Sequence, residues 1–576
     1  MRKIYLKINQ IISSDRKNQL LGLIFLLIIG MFLEVFGLGI ILPVLNFIAN
    51  KEIIQSYPGI HNFLFSIGFK SYDQIAIFLL VFLAFIYAVK TFFLLILNYF
   101  KNRFIFSTTR DLYNNLFYNY ISQSYERFIK KNSSDYIKVL QLETENFGVY
   151  LTGIITLIVE IALSFSVLLV LIYVNPIGAI TLLLFFLPIS YAFYFFSKGR
   201  IKIWGKKREE LDRSVSKIIH EGFDSFREIK IFNSRDYFLK KLESKNFEKT
   251  KIRYNQTTLL EAPRFFLELI LVVALVIFVL TMILQNEDLG KIISTLGVFA
   301  AGSFRIIPSL NRIITARQHI KYYDVVIDLI REELIEKKGE HKEVLDKINF
   351  NENILLSNLS FKYNVVGNNI LNKINLEIYK GELIGIVGES GFGKSTLVDL
   401  ISGLLKPNEG VISIDRKVIE FGMYNYKDFI GYVSQKTNLI DDTILANVAF
   451  GDLNPDLEKI KKALHDSQIL DFVNSLPEGF NTKIGERGVN LSGGQIQRIS
   501  IARSLYRNPE ILIFDEATSS LDNKTEAKLI NSIYKLKGKI TIIMIAHRLS
   551  SLKKCDRIYE LKNSKFMELK KKVLNF

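Results

Sequence analysis

Residues 383–405 read LIGIVGESGFGKSTLVDLISGLL, and Gly388 to Ser395 within them fit the spacing G-x-x-x-x-G-K-[ST]. Glycines at these positions let backbone N–H groups wrap phosphate oxygens, and a following helix adds the positive end of its dipole. The candidate phosphate loop comprises Gly388, Glu389, Ser390, Gly391, Phe392, Gly393, Lys394, Ser395 and Thr396. In such a loop Lys394 reaches the β- and γ-phosphates and the Ser395 hydroxyl ligates Mg²⁺, so ATP and Mg²⁺ are the expected cofactors. A second stretch, ILIFDE at 511–516, is four apolar residues running into two carboxylates. Asp515 is expected to hold Mg²⁺ and Glu516 to polarise an attacking water.

These groups need a scaffold. LIGIV reads as a buried strand feeding the loop, and STLVDLISGLL as the helix that follows it. ILIF reads as a buried parallel strand, and ligands of open α/β sheets sit at the carboxyl ends of such strands. The second half of the chain is therefore expected to be an α/β P-loop nucleotide-binding domain.

The first half has a different composition. Six apolar runs, about 20–49, 75–99, 148–173, 177–197, 262–284 and 290–316, are each long enough to cross a bilayer. Residues 1–19 carry five Lys/Arg and 198–256 carry seventeen, whereas 50–74 carry two and 174–177 none. The positive-inside rule then places both termini and both long loops in the cytoplasm. KIWGKKREELDRSVSKIIHEGF keeps helical periodicity well past the lipid, so the membrane helices are expected to extend into the cytoplasm. The composition shifts near 336–350, which divides the chain into 1–335 and 336–576. A single cysteine, Cys555, excludes a disulfide framework, and six scattered histidines make no zinc pattern. The net charge of +17 lies between the apolar runs. It fits a membrane surface, not nucleic acid.

LSGGQ at 491–495, with the phosphate loop and ILIFDE, resembles the ATP-binding-cassette proteins over about 350–560. That resemblance implies roles for further residues. Ser492, Gly493, Gly494 and Gln495 form the signature that closes on the γ-phosphate held by a second cassette. Tyr363 sits where an aromatic ring stacks on adenine. Gln435 matches the glutamine that senses Mg²⁺, Asp522 the loop linking the two sites, and His547 the γ-phosphate switch. Glu486, in TKIGERG, matches the segment that exporter-type cassettes turn toward the membrane domain. Phe392 and Ile496 depart from the usual residues, but the loop works through backbone N–H groups. One cassette supplies half of each composite site, so a homodimer is implied. Six spans fused to one cassette resemble the half-transporters of the exporter fold, with coupling helices expected near 122–131 and 224–232.

Charges inside the apolar runs suggest a cargo. Lys90, Arg264, Arg305 and Arg312 lie within or at the edges of spans, where an arginine costs roughly 2.5–3.5 kcal/mol on the lenient scales. Arg305 and Arg312 share a helix face around Pro308. Two readings stand: internal pairing with Glu34, Glu160 and Glu268, or a basic site for an anionic head group. EAPRFFLEL and FRIIPSLNRIITARQHIKYY resemble bacterial flippases of lipid-linked oligosaccharides, in the inner membrane. That resemblance implies a polyprenyl-pyrophosphate glycan as substrate and a short periplasmic helix at 52–69. An exporter of another lipid or hydrophobic drug is the alternative. A peptide exporter with an N-terminal protease domain does not fit nineteen leading residues, and a soluble nucleic-acid ATPase does not fit six spans. A non-transporting regulator fits poorly with a complete catalytic set.

Overall fold

Three of the apolar runs of the first half lie in helices of 49–51 residues, far longer than a bilayer requires. The computed structural model describes residues 11, 14–49, 69, 71–285, 287, 289–335, 349–363, 369–389, 391–419, 429–435, 437–485, 488–517, 523–546 and 549–569. The chain divides into two units, 1–123 with 129–338, and 124–128 with 339–576.

In the first half of the chain the helices are α1 (Ser14–Gly39), α2 (Ile41–Ala49), α3 (Tyr72–Ser122), α4 (Tyr125–Phe128) and α5 (Ser133–Lys138). After a π-helical turn at Val139–Glu143 come α6 (Thr144–Val174), α7 (Pro176–Asp224), α8 (Phe226–Ile231), α9 (Arg235–Leu284), α10 (Leu289–Tyr322) and α11 (Asp324–Ile335). All of these belong to the first unit except the four-residue α4, which belongs to the second. Six segments are long and apolar enough to span a membrane: Arg16–Leu45, Tyr72–Ser122, Ser133–Val174, Pro176–Asp224, Arg235–Leu284 and Ile292–Tyr322. The expected extensions are continuous helix, so α3 is 51 residues and α9 is 50. Each segment expected to couple contains a short helix, α4 or α8.

Side chains sort by what they meet. Phe85, Phe92, Leu184, Phe265 and Leu269 are exposed on the spans, as lipid-facing residues must be, while Tyr150, Phe147 and Phe278 are fully buried. Small residues allow close helix approach. A Cβ on Gly153 of α6 would come within 3.1 Å of the Ala316 carbonyl of α10. That contact sets α6 and α10 side by side, with Glu160 two turns beyond Gly153. Helix α10 continues through Pro308, which donates no backbone hydrogen bond there.

In the second unit three five-residue strands are buried along their whole length, as parallel strands covered on both faces should be. They are β3 (Leu383–Val387), β7 (Ile511–Asp515) and β8 (Thr541–Ile545). With β6 (Ile430–Val433), β9 (Arg557–Lys562) and β10 (Lys565–Leu569) they form a sheet of order β10-β9-β3-β8-β7-β6, parallel except for the β9–β10 edge. A separate antiparallel sheet has order β2-β1-β4-β5, from β1 (Asn353–Phe361), β2 (Leu371–Tyr379), β4 (Glu409–Ile414) and β5 (Lys417–Val418). The helices are α12 (Lys394–Ile401), α13 (Ile444–Val448), α14 (Leu457–Asp466), α15 (Leu470–Ser475), α16 (Gly493–Tyr506) and α17 (Asn523–Tyr534).

Candidate functional site

The carboxyl ends of β3, β6 and β7 converge on the chemistry. Strand β3 ends at Val387, and the loop after it turns through Gly388, Gly391 and Gly393 with φ of 157°, 89° and 95°. At Gly388 a Cβ would meet the Leu561 carbonyl at 2.5 Å, so both backbone conformation and space require glycine. Gly393 caps α12, whose N-terminus therefore points into the loop. The Lys394 ammonium is buried and donates to the carbonyls of Gly388 at 2.7 Å and Glu389 at 3.1 Å. It also lies 3.7 Å from a Glu516 oxygen. A glycine loop wrapped around a buried ammonium fits a polyphosphate. Phe392 leans on the apolar core of the unit, which accounts for a large side chain at a position usually small.

Strand β7 delivers the two carboxylates. Asp515 is buried, accepts from the Tyr432 hydroxyl at 3.2 Å and from Ser395, and is held above the ordinary carboxylate range by burial. Hard oxygen donors of this kind suit Mg²⁺. Among the described residues no group of three or more His, Cys, Asp and Glu side chains could hold a metal, so phosphate oxygens would have to complete the coordination. Glu516 takes a φ of 52°, which turns its side chain off the strand, and accepts from Gln435 Nε2 at 2.5 Å. The resemblance-based assignment of Gln435 thus falls beside the expected base.

Tyr363 is half-exposed, meets Phe361 edge-on at 5.1 Å, and its hydroxyl lies 3.2 Å from Thr396 Oγ1. The ring is tethered to the phosphate loop. The signature opens α16 with a capping box: Ser492 Oγ accepts from the Gln495 N–H at 3.3 Å, and Gln495 Oε1 accepts from the Ser492 N–H at 2.7 Å. Gly493 and Gly494 form its first turn, leaving the N-terminus free of bulky side chains. Ile496 packs among apolar neighbours beside Gly488, which suits an apolar residue there.

The intramembrane charges gather in the first unit. Glu34 of α1 accepts from Arg305 Nε at 2.7 Å and lies 3.3 Å from Lys90 Nζ. Glu160 of α6 accepts from Arg312 Nη1 at 2.5 Å and from Ser309 Oγ at 2.6 Å, with Arg305 Nη1 at 3.6 Å. Lys90, Arg305 and Arg312 are thus brought together, and each has a carboxylate partner, the first of the two readings of these charges. Arg264 is set apart. It pairs with Glu268 at 2.8 Å one turn along an exposed face, because i,i+4 neighbours meet without help from other helices.

Residues 371–519 match the family model described as ABC transporter. A solved bacterial Atm1-family ABC exporter with ATP bound superposes with a TM-score of 0.76 at 24% identity, covering 96% of this chain and 94% of that one. The chain has the fold of an ABC exporter half-transporter. Among curated proteins, the ATP-dependent lipid A-core flippase of Saccharophagus degradans is 34% identical over 376 residues, 64% of this chain and 63% of that protein. The alpha-hemolysin translocation ATP-binding protein HlyB of Proteus vulgaris is 43% identical over 219 residues, 38% of this chain and 31% of that protein. The chain therefore spans less than two thirds of the length of these curated relatives.

Of the ABC residues expected from sequence, Ser390, Glu486, Asp522 and His547 lie outside the described residues, as does the expected helix at 52–69 apart from Phe69. Other residues escaped sequence reasoning. Ser309 bridges Arg305 and Glu160. Lys101 interacts electrostatically with both Glu160 and Arg312. Its signal was present: it follows Lys90 by eleven residues, three helical turns, and so shares its face.

Proposed function

We propose that this chain hydrolyses ATP as half of a homodimeric ABC transporter and flips a polyprenyl-pyrophosphate-linked oligosaccharide between leaflets of a bacterial inner membrane, with both termini cytoplasmic. The observation that carries the substrate class is the cluster of Lys90, Arg305 and Arg312 around two carboxylates, Glu34 and Glu160, among the described residues. Three cations and two carboxylates leave an excess positive charge that a hydrophobic drug would not use and a phosphate would.

In the cassette, Lys394 and the loop N–H groups bind the β- and γ-phosphates, and Ser395 and Asp515 hold Mg²⁺, which offsets charge on the phosphates when bound. Glu516 orients and deprotonates the water, with Gln435 fixing its carboxylate. Ser492, Gly494 and the α16 N-terminus serve the partner's site. In the membrane, Arg312 is half-exposed and forms the accessible end of the basic site. Arg264, exposed beside Glu268, lies at a second level of the path.

A second reading keeps the fold and changes the cargo to another lipid or hydrophobic drug. The pairing of each of these three cations with a carboxylate favours it. ATPase measurements in lipid vesicles decide between them. The pyrophosphate-linked lipid is expected to stimulate turnover and to be flipped, and Arg312→Ala to abolish both while basal ATPase persists. Stimulation by an uncharged hydrophobic compound alone would remove the pyrophosphate reading.

A further inference from the structure

Strand β6 and the residues just past it place a donor on each of the two adjacent carboxylates of the nucleotide site. Gln435 donates to Glu516, as described above. The donor to Asp515 is the Tyr432 hydroxyl, 3.2 Å from Oδ2. The sheet dictates this reach. Strands β6 and β7 run parallel with Tyr432 opposite Ile513. Tyr432, Ile513 and Asp515 therefore share one face of the sheet, with Asp515 about 7 Å further along β7. A tyrosine leaning along its strand covers that step, whereas serine or threonine would fall short and phenylalanine would arrive without a donor. The backbone at Tyr432 is itself anchored, since its carbonyl accepts from the buried Ser504 hydroxyl of α16 at 2.8 Å. Asp515 is 4% exposed and also accepts from Ser395. Ser395 is an expected Mg²⁺ ligand, so its hydroxyl turns to the ion when the site is loaded, and Tyr432 remains to hold the carboxylate.

We propose that Tyr432 is a positioning residue for Mg²⁺ binding, its hydroxyl fixing the rotation of the Asp515 carboxylate. This rests on the reading of Asp515 as the Mg²⁺ carboxylate. A carboxylate has about four acceptor positions, so one hydroxyl orients it without saturating it. Loss of a hydrogen-bond partner behind a metal ligand typically costs about 10–100-fold in metal affinity. A separation of 3.2 Å is long for O–H···O, which puts the effect here at the lower end, about tenfold. The labour along β6 is thus divided. Tyr432 governs how readily the site loads with metal, and Gln435 governs the base that acts afterwards.

The test is ADP binding to the purified, full-length protein, measured by calorimetry in EDTA and across a Mg²⁺ titration. ADP reads binding without turnover. Tyr432→Phe keeps the ring and removes the hydroxyl. It is expected to melt as wild type does and to bind ADP with wild-type affinity in EDTA. It should need about tenfold more Mg²⁺ to reach half of the Mg²⁺-dependent gain in affinity. An unchanged Mg²⁺ midpoint would overturn the proposal, and so would equal weakening with and without Mg²⁺, the mark of a damaged pocket. Ser504→Ala loosens the same strand but leaves the hydroxyl, and is expected to keep the wild-type midpoint. A shift there as large as that of Tyr432→Phe would assign the effect to strand position and remove the hydroxyl from it. Asp515→Asn checks the underlying assignment separately and is expected to lose the Mg²⁺-dependent gain. A wild-type gain in that variant would remove Asp515 as the metal carboxylate, and the role of Tyr432 with it. ATPase supplies a second readout. Tyr432→Phe is expected to fall below wild type at limiting Mg²⁺ and to rise as Mg²⁺ is added, whereas Glu516→Gln stays low throughout. A Tyr432→Phe deficit that added Mg²⁺ does not change would also overturn the proposal.

Discussion

Glu516 sits with its carboxylate between the Gln435 amide and the Lys394 ammonium, and the identity of the hydrolytic base rests on that placement. Glu516→Gln is expected to keep nucleotide affinity near wild type and to lower ATPase by about 10²–10⁴-fold, the range of a general base. Lys394→Ala removes a phosphate contact and is expected to weaken nucleotide binding itself, so equilibrium binding separates the two variants. A second residue-scale effect comes from Asp399, four residues beyond Ser395 in α12. Burial and the nearby Asp515 carboxylate push its carboxyl up to about 6. The unfolded chain releases that proton near pH ~4. The folded protein therefore binds the extra proton between those values, and this stabilisation, complete below pH ~4, is lost as pH rises through about 6. Asp399→Asn is expected to flatten that slope in nucleotide-free protein. It raises the melting temperature at pH 7.5 by the equivalent of about 1 kcal/mol, allowing for partial solvent screening. Melting curves across this range check it; a slope identical to wild type would show that Asp399 does not carry the effect. The phosphate loop and ILIFDE were legible because their chemistry is local, each residue set by its neighbours in sequence. Asp399 was not, because its environment comes from Asp515, more than a hundred residues away.

Elements set distances that no single residue controls. Gly153 lets α6 lie against α10, and that approach places the Glu160 carboxylate on Ser309 and Arg312. Gly153→Leu must push the helices apart, since even a Cβ would stand 3.1 Å from a backbone carbonyl and 3.2 Å from Ile320. Overpacking of this kind costs about 1–3 kcal/mol. The variant is expected to melt lower and to lose lipid-stimulated ATPase, while basal ATPase stays near wild type. Parallel loss of basal and stimulated activity would show that the contact serves folding alone. Hydropathy made six spans legible, because a lipid-crossing run needs continuous apolar sequence. It did not mark where the helices end, since α3 and α7 continue through charged residues that water accepts. Ser309 and Lys101 were hidden for a related reason: a lone hydroxyl, or a lysine at the edge of a run, reads as boundary until a second helix is brought beside it.

At the scale of the whole molecule, the cassette carries a complete phosphate loop and a complete signature, and the homodimer reading assigns them to two different composite sites. Complementation tests that directly. Lys394→Ala spoils one element and Ser492→Arg the other, so each variant alone is expected to be nearly inactive. A mixed dimer regains one intact composite site, and co-expressed, doubly tagged material is expected to recover a substantial fraction of wild-type ATPase. No recovery would place each site within one chain. The composition shift at 336–350 marked the expected boundary between 1–335 and 336–576, but the assignment of 124–128 to the second unit had no compositional cue. Such a segment is specified by its place in three dimensions, and single-sequence patterns do not record that.

The length of α3 has a mechanical consequence. It runs from Tyr72 to Ser122 with no proline or break, so at ~1.5 Å per residue it is a rod of about 76 Å. A tilt of ~10° about one end of a rod that long sweeps the other through about 13 Å. Lys90 and Lys101 ride on this rod, so any leverage applied near Ser122 reorients both ammonium groups together and in fixed proportion.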